Sequence, residues 1–221
     1  MEQHLKTGLL AKILDRTDTD SVLVFTRTKD RATRVAKHLK KAGFPVASMQ
    51  GDLSQSQRQE SLNGFRTGKY RILVATDIAA RGLDISSISH VINYDMPDTV
   101  DAYTHRIGRT GRAERTGDAF TFVTREDRAF VWAIENVLGE EIERRTLEDF
   151  DYTAAPKERS SGGHPRFGGR DRDASPKSQP MRRELSSFAS AQASSGSSDG
   201  ARKVTLFSTP RPRSRRARSV R

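Results

Sequence analysis

Two patterns in residues 1–150 predict an α/β fold with a mainly parallel sheet and helices on both faces. Short continuous apolar runs recur, and stretches of helical periodicity separate them. A strand covered on both faces is apolar at consecutive positions because neither face meets water. A helix packed on such a sheet shows apolar residues at every third or fourth position. Where the two alternate, crossover connections set the strands parallel and distribute the helices over both faces.

In chain order, Val22-Leu23-Val24-Phe25 is the first strand. Ala32, Val35, Ala36 and Leu39 then repeat at helical spacing, and Gly43 with Pro45 ends that helix. Val46-Ala47-Ser48-Met49 is the second strand, and Ser54 with Gln57 forms a capping-box pattern ahead of Leu62 and Phe65. Ile72-Leu73-Val74-Ala75, His90-Val91-Ile92-Asn93 and Ala119-Phe120-Thr121-Phe122-Val123 read as further buried strands. A last helix carries Val131, Ile134 and Leu138 before Gly139. There is no internal repeat.

The net charge of +11 is unevenly distributed. Residues 1–150 hold 23 Lys and Arg against 22 Asp and Glu, whereas residues 151–221 hold 16 against 6. The first part is therefore a nearly neutral domain that binds anions only through placed groups. The second is rich in Ser, Gly and Arg, closing on Arg215-Arg216-Ala217-Arg218-Ser219-Val220-Arg221. With few apolar residues to offset the entropy of ordering, 151–221 is expected to be a disordered basic tail. Such a tail attracts nucleic-acid phosphates without sequence preference, or serves only to solubilise. Cysteine is absent, no apolar run approaches the ~20 residues that span a bilayer, and no apolar signal core follows Met1. A cytoplasmic protein with no membrane partner is expected.

Ligands of a parallel sheet sit beyond the carboxyl ends of its strands, and there the unusual residues fall. Thr26, Arg27 and Lys29 follow the first strand; Gln50, Gly51 and Asp52 follow the second, with Arg58 just beyond. Thr76-Asp77-Ile78-Ala79-Ala80-Arg81-Gly82-Leu83-Asp84 follows the third, and His105-Arg106-Ile107-Gly108-Arg109-Thr110-Gly111-Arg112 follows the fourth. Arg109 and Arg112 are three apart, so on a helical turn they share a face and converge on one anion. A guanidinium is always charged and forks two donors onto phosphate oxygens.

These motifs, SVLVFTRTK, QGDLSQSQR, ATDIAARGLDI and HRIGRTGR, resemble in sequence and order the C-terminal RecA-like lobe of DEAD-box RNA helicases, over about residues 5–138. QGDLSQSQR, with a neutral lobe and basic tail, is most similar to the bacterial RhlE-type branch. DNA-unwinding relatives usually carry glutamine where His105 stands, which favours RNA. The resemblance implies arginine fingers at Arg109 and Arg112 that stabilise charge on a transferred gamma-phosphate. It implies nucleotide contacts at Gly82 and Asp84, and at His105 and Arg106 groups linking nucleotide, RNA surface and second lobe. For RNA it implies sugar-phosphate contacts from Thr26, Arg27, Gly51, Arg58 and Thr76, which carry little sequence information. Asp52 and Asp77 read equally well as helix caps, and Gly82, Gly108 and Gly111 can be plain turn formers.

The family's Gly-rich phosphate loop and Asp-Glu-Ala-Asp run are absent from this sequence. Gly64-Phe65-Arg66-Thr67-Gly68-Lys69 has too few intervening residues and no hydroxyl after its lysine, so it reads as a helix end. The expected function is thus the C-terminal half of an ATP-dependent RNA helicase. ATP, with its Mg2+, would also be held by an N-terminal lobe supplied in cis or in trans. The alternative is a stand-alone RNA-binding or chaperone module without ATPase activity.

Overall fold

The computed structural model describes residues 1–17, 19–81, 88–110, 117–155 and 202–208. After a short 3-10 turn, the elements in chain order are α1 (Lys6–Arg16), β1 (Val22–Thr26), α2 (Lys29–Lys41), β2 (Val46–Met49), α3 (Gln55–Arg66), β3 (Ile72–Thr76), α4 (Asp77–Ala80), β4 (His90–Asn93), α5 (Val100–Ile107), β5 (Gly117–Phe122), α6 (Arg128–Leu138), β6 (Glu143–Arg145) and β7 (Arg202–Phe207). Among the described residues seven strands form one sheet in the order β2-β3-β1-β4-β5-β7-β6, and every strand pairing is parallel. The architecture is the RecA-like α/β fold expected.

Both faces of the sheet are covered, and β1 shows how. Val22 and Val24 join Leu9, Ile13, Val35 and Leu39 from α1 and α2 on one face. Leu23 and Phe25 join Phe65 and Ala79 from α3 and α4 on the other. The two-residue period of a strand sends successive apolar side chains to opposite layers, so a continuous apolar run is required. Near the β5 end of the sheet, Tyr103 and Ile107 of α5 pack with Val131 and Ile134 of α6.

Side-chain caps fix where helices begin. Thr28 Oγ1 accepts from the Arg31 amide at 3.2 Å, and Thr99 Oγ1 from that of Ala102 at 3.1 Å. The capping box at α3 is complete: Ser54 Oγ accepts from the Gln57 amide at 3.3 Å, and Gln57 Oε1 from the Ser54 amide at 3.0 Å. Gly139, at φ 73°, closes α6. Gly64 is demanded by packing, since a Cβ there would lie 2.5 Å from the Tyr70 ring. The Gly64–Lys69 stretch is accordingly the end of α3.

Besides the helices α4 and α5, three elements lie outside the anticipated pattern. No element is read before Val22, yet α1 forms and buries Leu9, Leu10, Ile13 and Leu14. The short exposed strand β6 has no apolar signal at all. The third is a correction: residues 151–221 are expected to be disordered throughout, whereas Arg202–Phe207 forms β7 between β5 and β6. Thr205, Leu206 and Phe207 are each no more than 5 % exposed. Composition averaged over a polar tail conceals a six-residue strand whose burial depends on neighbours distant in sequence. The other residues beyond 155, Ser208 excepted, lie outside the described residues. No helix among the described residues is long and apolar enough to cross a membrane.

Candidate nucleotide and nucleic-acid interface

Because every strand runs the same way, the residues after their carboxyl ends share one edge. Arg106, on the last turn of α5, organises that edge. Its side chain is 3 % exposed, with Nε donating to Asp77 Oδ1 at 2.6 Å and Nη2 to Asp77 Oδ2 at 2.5 Å. Nη1 donates to the Asp95 carbonyl at 2.7 Å and to Asn93 Oδ1 at 3.2 Å, and the guanidinium lies 5.0 Å from the Phe25 ring centroid. One side chain therefore ties α5 to β1, to β4 and the segment after it, and to the segment after β3. Its donors point inward, which makes it a positioning group in this arrangement. Asp77 is the first residue of α4 and Thr76 the cap, so Asp77 acts as the anion for Arg106.

Asp95, just past β4, is a second organiser, and sequence reasoning passed over it. It is 3 % exposed; Oδ1 lies 2.7 Å from Arg31 Nη1 and 3.5 Å from Lys6 Nζ, and Oδ2 accepts from the Arg27 amide at 3.0 Å. Lys6 Nζ also donates to the Tyr94 carbonyl at 2.9 Å. Burial pushes the Lys6 ammonium pKa down, with Asp95 opposing. Its one available signal was a carboxylate directly after a predicted strand, at the ligand-bearing edge.

The expected RNA-contacting residues fall on neighbouring loops with different exposures. The Arg27 side chain is half exposed, with Nη2 donating to the Met96 carbonyl at 3.1 Å and Nε 3.5 Å from Asp98 Oδ1. Thr26 is fully buried, its hydroxyl turned to the carbonyls of Thr28 and Ala75. Thr76 is buried as well. Gly51 has open space where a Cβ would stand, and Arg58 lies half-buried in the first turn of α3. Asp52 is not a cap, since Ser54 fills that role; it pairs with Lys29 at 2.9 Å and raises the Lys29 pKa.

On the nucleotide side, His105 is exposed, its Nδ1 3.4 Å from Asp101 Oδ2. α5 stops at Ile107, and the half-buried Arg109 occupies the turn beyond. Thr110 then bridges to Ile88, its Oγ1 donating to the Ile88 carbonyl at 2.7 Å. The expected sharing of a helical face by Arg109 and Arg112 falls in part on residues outside those described. Arg112, Gly82, Asp84 and Gly111 lie outside the described residues.

A parallel sheet with arginine-bearing loops along one edge defines a RecA-like helicase lobe. The family model for the helicase conserved C-terminal domain matches residues 5–114. The chain is 37 % identical to the Escherichia coli DEAD-box protein SrmB in its complex with regulator of ribonuclease activity A, with a TM-score of 0.65, covering 71 % of this chain and 93 % of that one. It is 47 % identical over 133 residues to DEAD-box ATP-dependent RNA helicase 21 of Oryza sativa subsp. japonica, covering 60 % of this chain and 18 % of that protein. To CshA of Bacillus subtilis, a DEAD-box ATP-dependent RNA helicase, it is 41 % identical over 144 residues, covering 65 % and 29 %. The chain belongs to the DEAD-box helicase family, as its conserved C-terminal domain. It spans less than a third of the length of these two curated relatives.

Proposed function

We propose that this chain is the C-terminal half of an ATP-dependent RNA helicase. In this reading it supplies arginine fingers, and part of an RNA-backbone site, to a cleft completed by an N-terminal lobe. What carries the reading is the Arg106–Asp77 fork: it seats α5 against the end of β3, so Arg109 leaves the helix at the same edge as the Arg27, Gly51 and Thr76 loops.

Bound ATP supplies the transferable gamma-phosphate and, with Mg2+, would be held chiefly by the other lobe. Arg109 and Arg112 would fork onto its oxygens and stabilise charge developing there. Gly82 and Asp84 would meet the nucleotide, and His105 would join nucleotide, RNA and second lobe. Arg27, Arg58 and the backbone near Thr26, Gly51 and Thr76 would hold the sugar-phosphate chain of RNA, nearly independent of sequence. QGDLSQSQR and the basic tail support a place in the RhlE-type branch, and the lack of cysteine fits a cytoplasmic setting.

The test is RNA-stimulated ATP hydrolysis by this chain alone, then after addition of a separately expressed DEAD-box first lobe. Turnover only in the mixture is expected. RNA binding with no turnover in either case would replace this reading with a stand-alone RNA-binding module.

A further inference from the structure

β7 fills a slot one strand wide. It lies far along the chain from its neighbours, yet pairs in parallel with β5 on one side and β6 on the other. Among the described strand pairings, β5 and β6 are joined only through it. Leu206 packs with Val131, Ile134 and Ile142, while Phe207 meets Phe120 and Phe122 edge-on at 5.5 and 6.2 Å between centroids. The Val123 amide donates to the Phe207 carbonyl at 2.9 Å, and Lys203 Nζ lies 3.9 Å from Glu143 Oε2 of β6. A strand held by backbone bonds on both sides and by alternate side chains in two layers is bound as in strand-addition complexes.

One residue of β7 does not fit. Thr205, in register with Phe120 of β5 and Glu143 of β6, is fully buried, and its Oγ1 has no hydrogen-bond partner among the described residues. Other buried threonines of the sheet do better. The Thr26 hydroxyl faces the carbonyls of Thr28 and Ala75, and Thr121 Oγ1 accepts from Asn93 Nδ2 at 3.1 Å. A hydroxyl taken from water with nothing to replace its hydrogen bonds opposes docking. A β-branched aliphatic residue at that position keeps the strand propensity without the penalty. The slot is thus better suited to a strand other than its resident.

We infer that the slot between β5 and β6 is a strand-addition site for an extended segment of another protein chain, and that β7 is an intramolecular cap which such a segment displaces. The segment runs parallel to β5. It carries a cation where Lys203 stands, a β-branched aliphatic residue in place of Thr205, and then leucine and an aromatic residue. Covalent attachment gives β7 an effective concentration on the order of millimolar, so a free strand of the same sequence competes poorly. A strand without the orphaned hydroxyl gains on the order of tenfold and displaces the cap at roughly 100 µM. This inference is independent of the RNA reading.

The experiment titrates the full chain into two fluorescein-labelled peptides, read by anisotropy. One has the sequence of residues 201–208, and the other is the same peptide with Thr205→Val. The valine peptide is expected to bind the parent on the order of tenfold more tightly than the threonine peptide. In the full chain, Thr205→Val strengthens the cap and is expected to weaken binding of the valine peptide on the order of tenfold. Leu206→Ser weakens the cap and is expected to tighten it by a similar factor or more. Hydrogen exchange locates the event, since bound peptide should open the β7 amides while those of β5 stay protected.

Equal binding of the two peptides, or of the valine peptide by the parent and by its Thr205→Val variant, would overturn the inference. The second comparison holds even where Leu206→Ser fails to fold, because the valine variant removes a penalty and keeps the packing. Peptide bound while the β7 amides remain protected would place it elsewhere on the lobe and overturn the displacement. Failure of the valine peptide to bind the parent at several hundred micromolar would show that the slot belongs to β7 alone.

Discussion

The Arg106 guanidinium makes a two-pronged contact with Asp77, at 2.6 and 2.5 Å, and the two residues come from consecutive βα units of the sheet. Arg106 is buried at the last turn of α5, while the Asp77 side chain is 46 % exposed at the start of α4. A forked ion pair fixes orientation as well as distance, which a single point contact from lysine would not. The two motifs that supply them, ATDIAARGLDI and HRIGRTGR, are thereby held together within this lobe.

Removing Asp77 leaves a buried guanidinium whose acceptors among the described residues are neutral, the Asn93 side chain and the Asp95 carbonyl. Asp77→Ala is expected to cost about 2–3 kcal/mol of stability, measured as a shift in the urea unfolding curve. Asp77→Asn retains one acceptor and should cost less. An alanine variant as stable as the parent would show that the fork is not a structural tie.

Arg109→Ala is expected to slow ATP turnover of the reconstituted two-lobe protein by about a thousandfold, as loss of an arginine finger does. RNA affinity of the isolated chain should change little, which separates a role at the phosphate from one at the backbone of RNA. Anisotropy on the same preparation gives the second number.

Phe207→Ala should destabilise the lobe by about 3 kcal/mol, because it empties a site between Phe120 and Phe122 that is 5 % exposed. Calorimetry or urea unfolding would detect it readily. If residues 202–207 were loosely attached, the substitution would be silent.

His90 supplies a pH dependence. It is buried in β4, Nδ1 2.9 Å from Ser89 Oγ and Nε2 3.5 Å from Asp118 Oδ2, and burial pushes its pKa down despite that carboxylate. The unfolded chain then takes up a proton at higher pH than the folded one does. The contribution of His90 is full above its unfolded pKa of about 6.5 and declines as pH falls below it. Urea midpoints at pH 7.5 and 5.5 should therefore differ by more in the parent than in His90→Gln.

Much of the lobe is legible from local pattern. The runs at β1, β3 and β4 are apolar because both faces are covered, and the Ser54–Gln57 box marks the start of α3 within a few residues of chain. The candidate site is half legible by the same standard: its loops are found from strand ends, and Arg109 from its motif. The inward turn of Arg106 is not found that way, because nothing adjacent in sequence distinguishes a guanidinium aimed at a ligand from one aimed at Asp77. Asp95 is missed for a similar reason. Its importance comes from Lys6, Arg27 and Arg31, which reach it from elements far earlier in the chain.

By itself the sequence determined that this chain builds a parallel α/β sheet, that its chemistry gathers at one edge, and which helicase family its motifs belong to. Those properties follow from short-range periodicity, caps and motif spacing. Only the tertiary structure decided that Arg106 and Asp95 brace the site and that Val204, Thr205, Leu206 and Phe207 leave a polar tail to complete the sheet. A strand of six residues has no stability of its own. It forms because β5 and β6 supply backbone partners on both sides and two apolar layers receive its side chains.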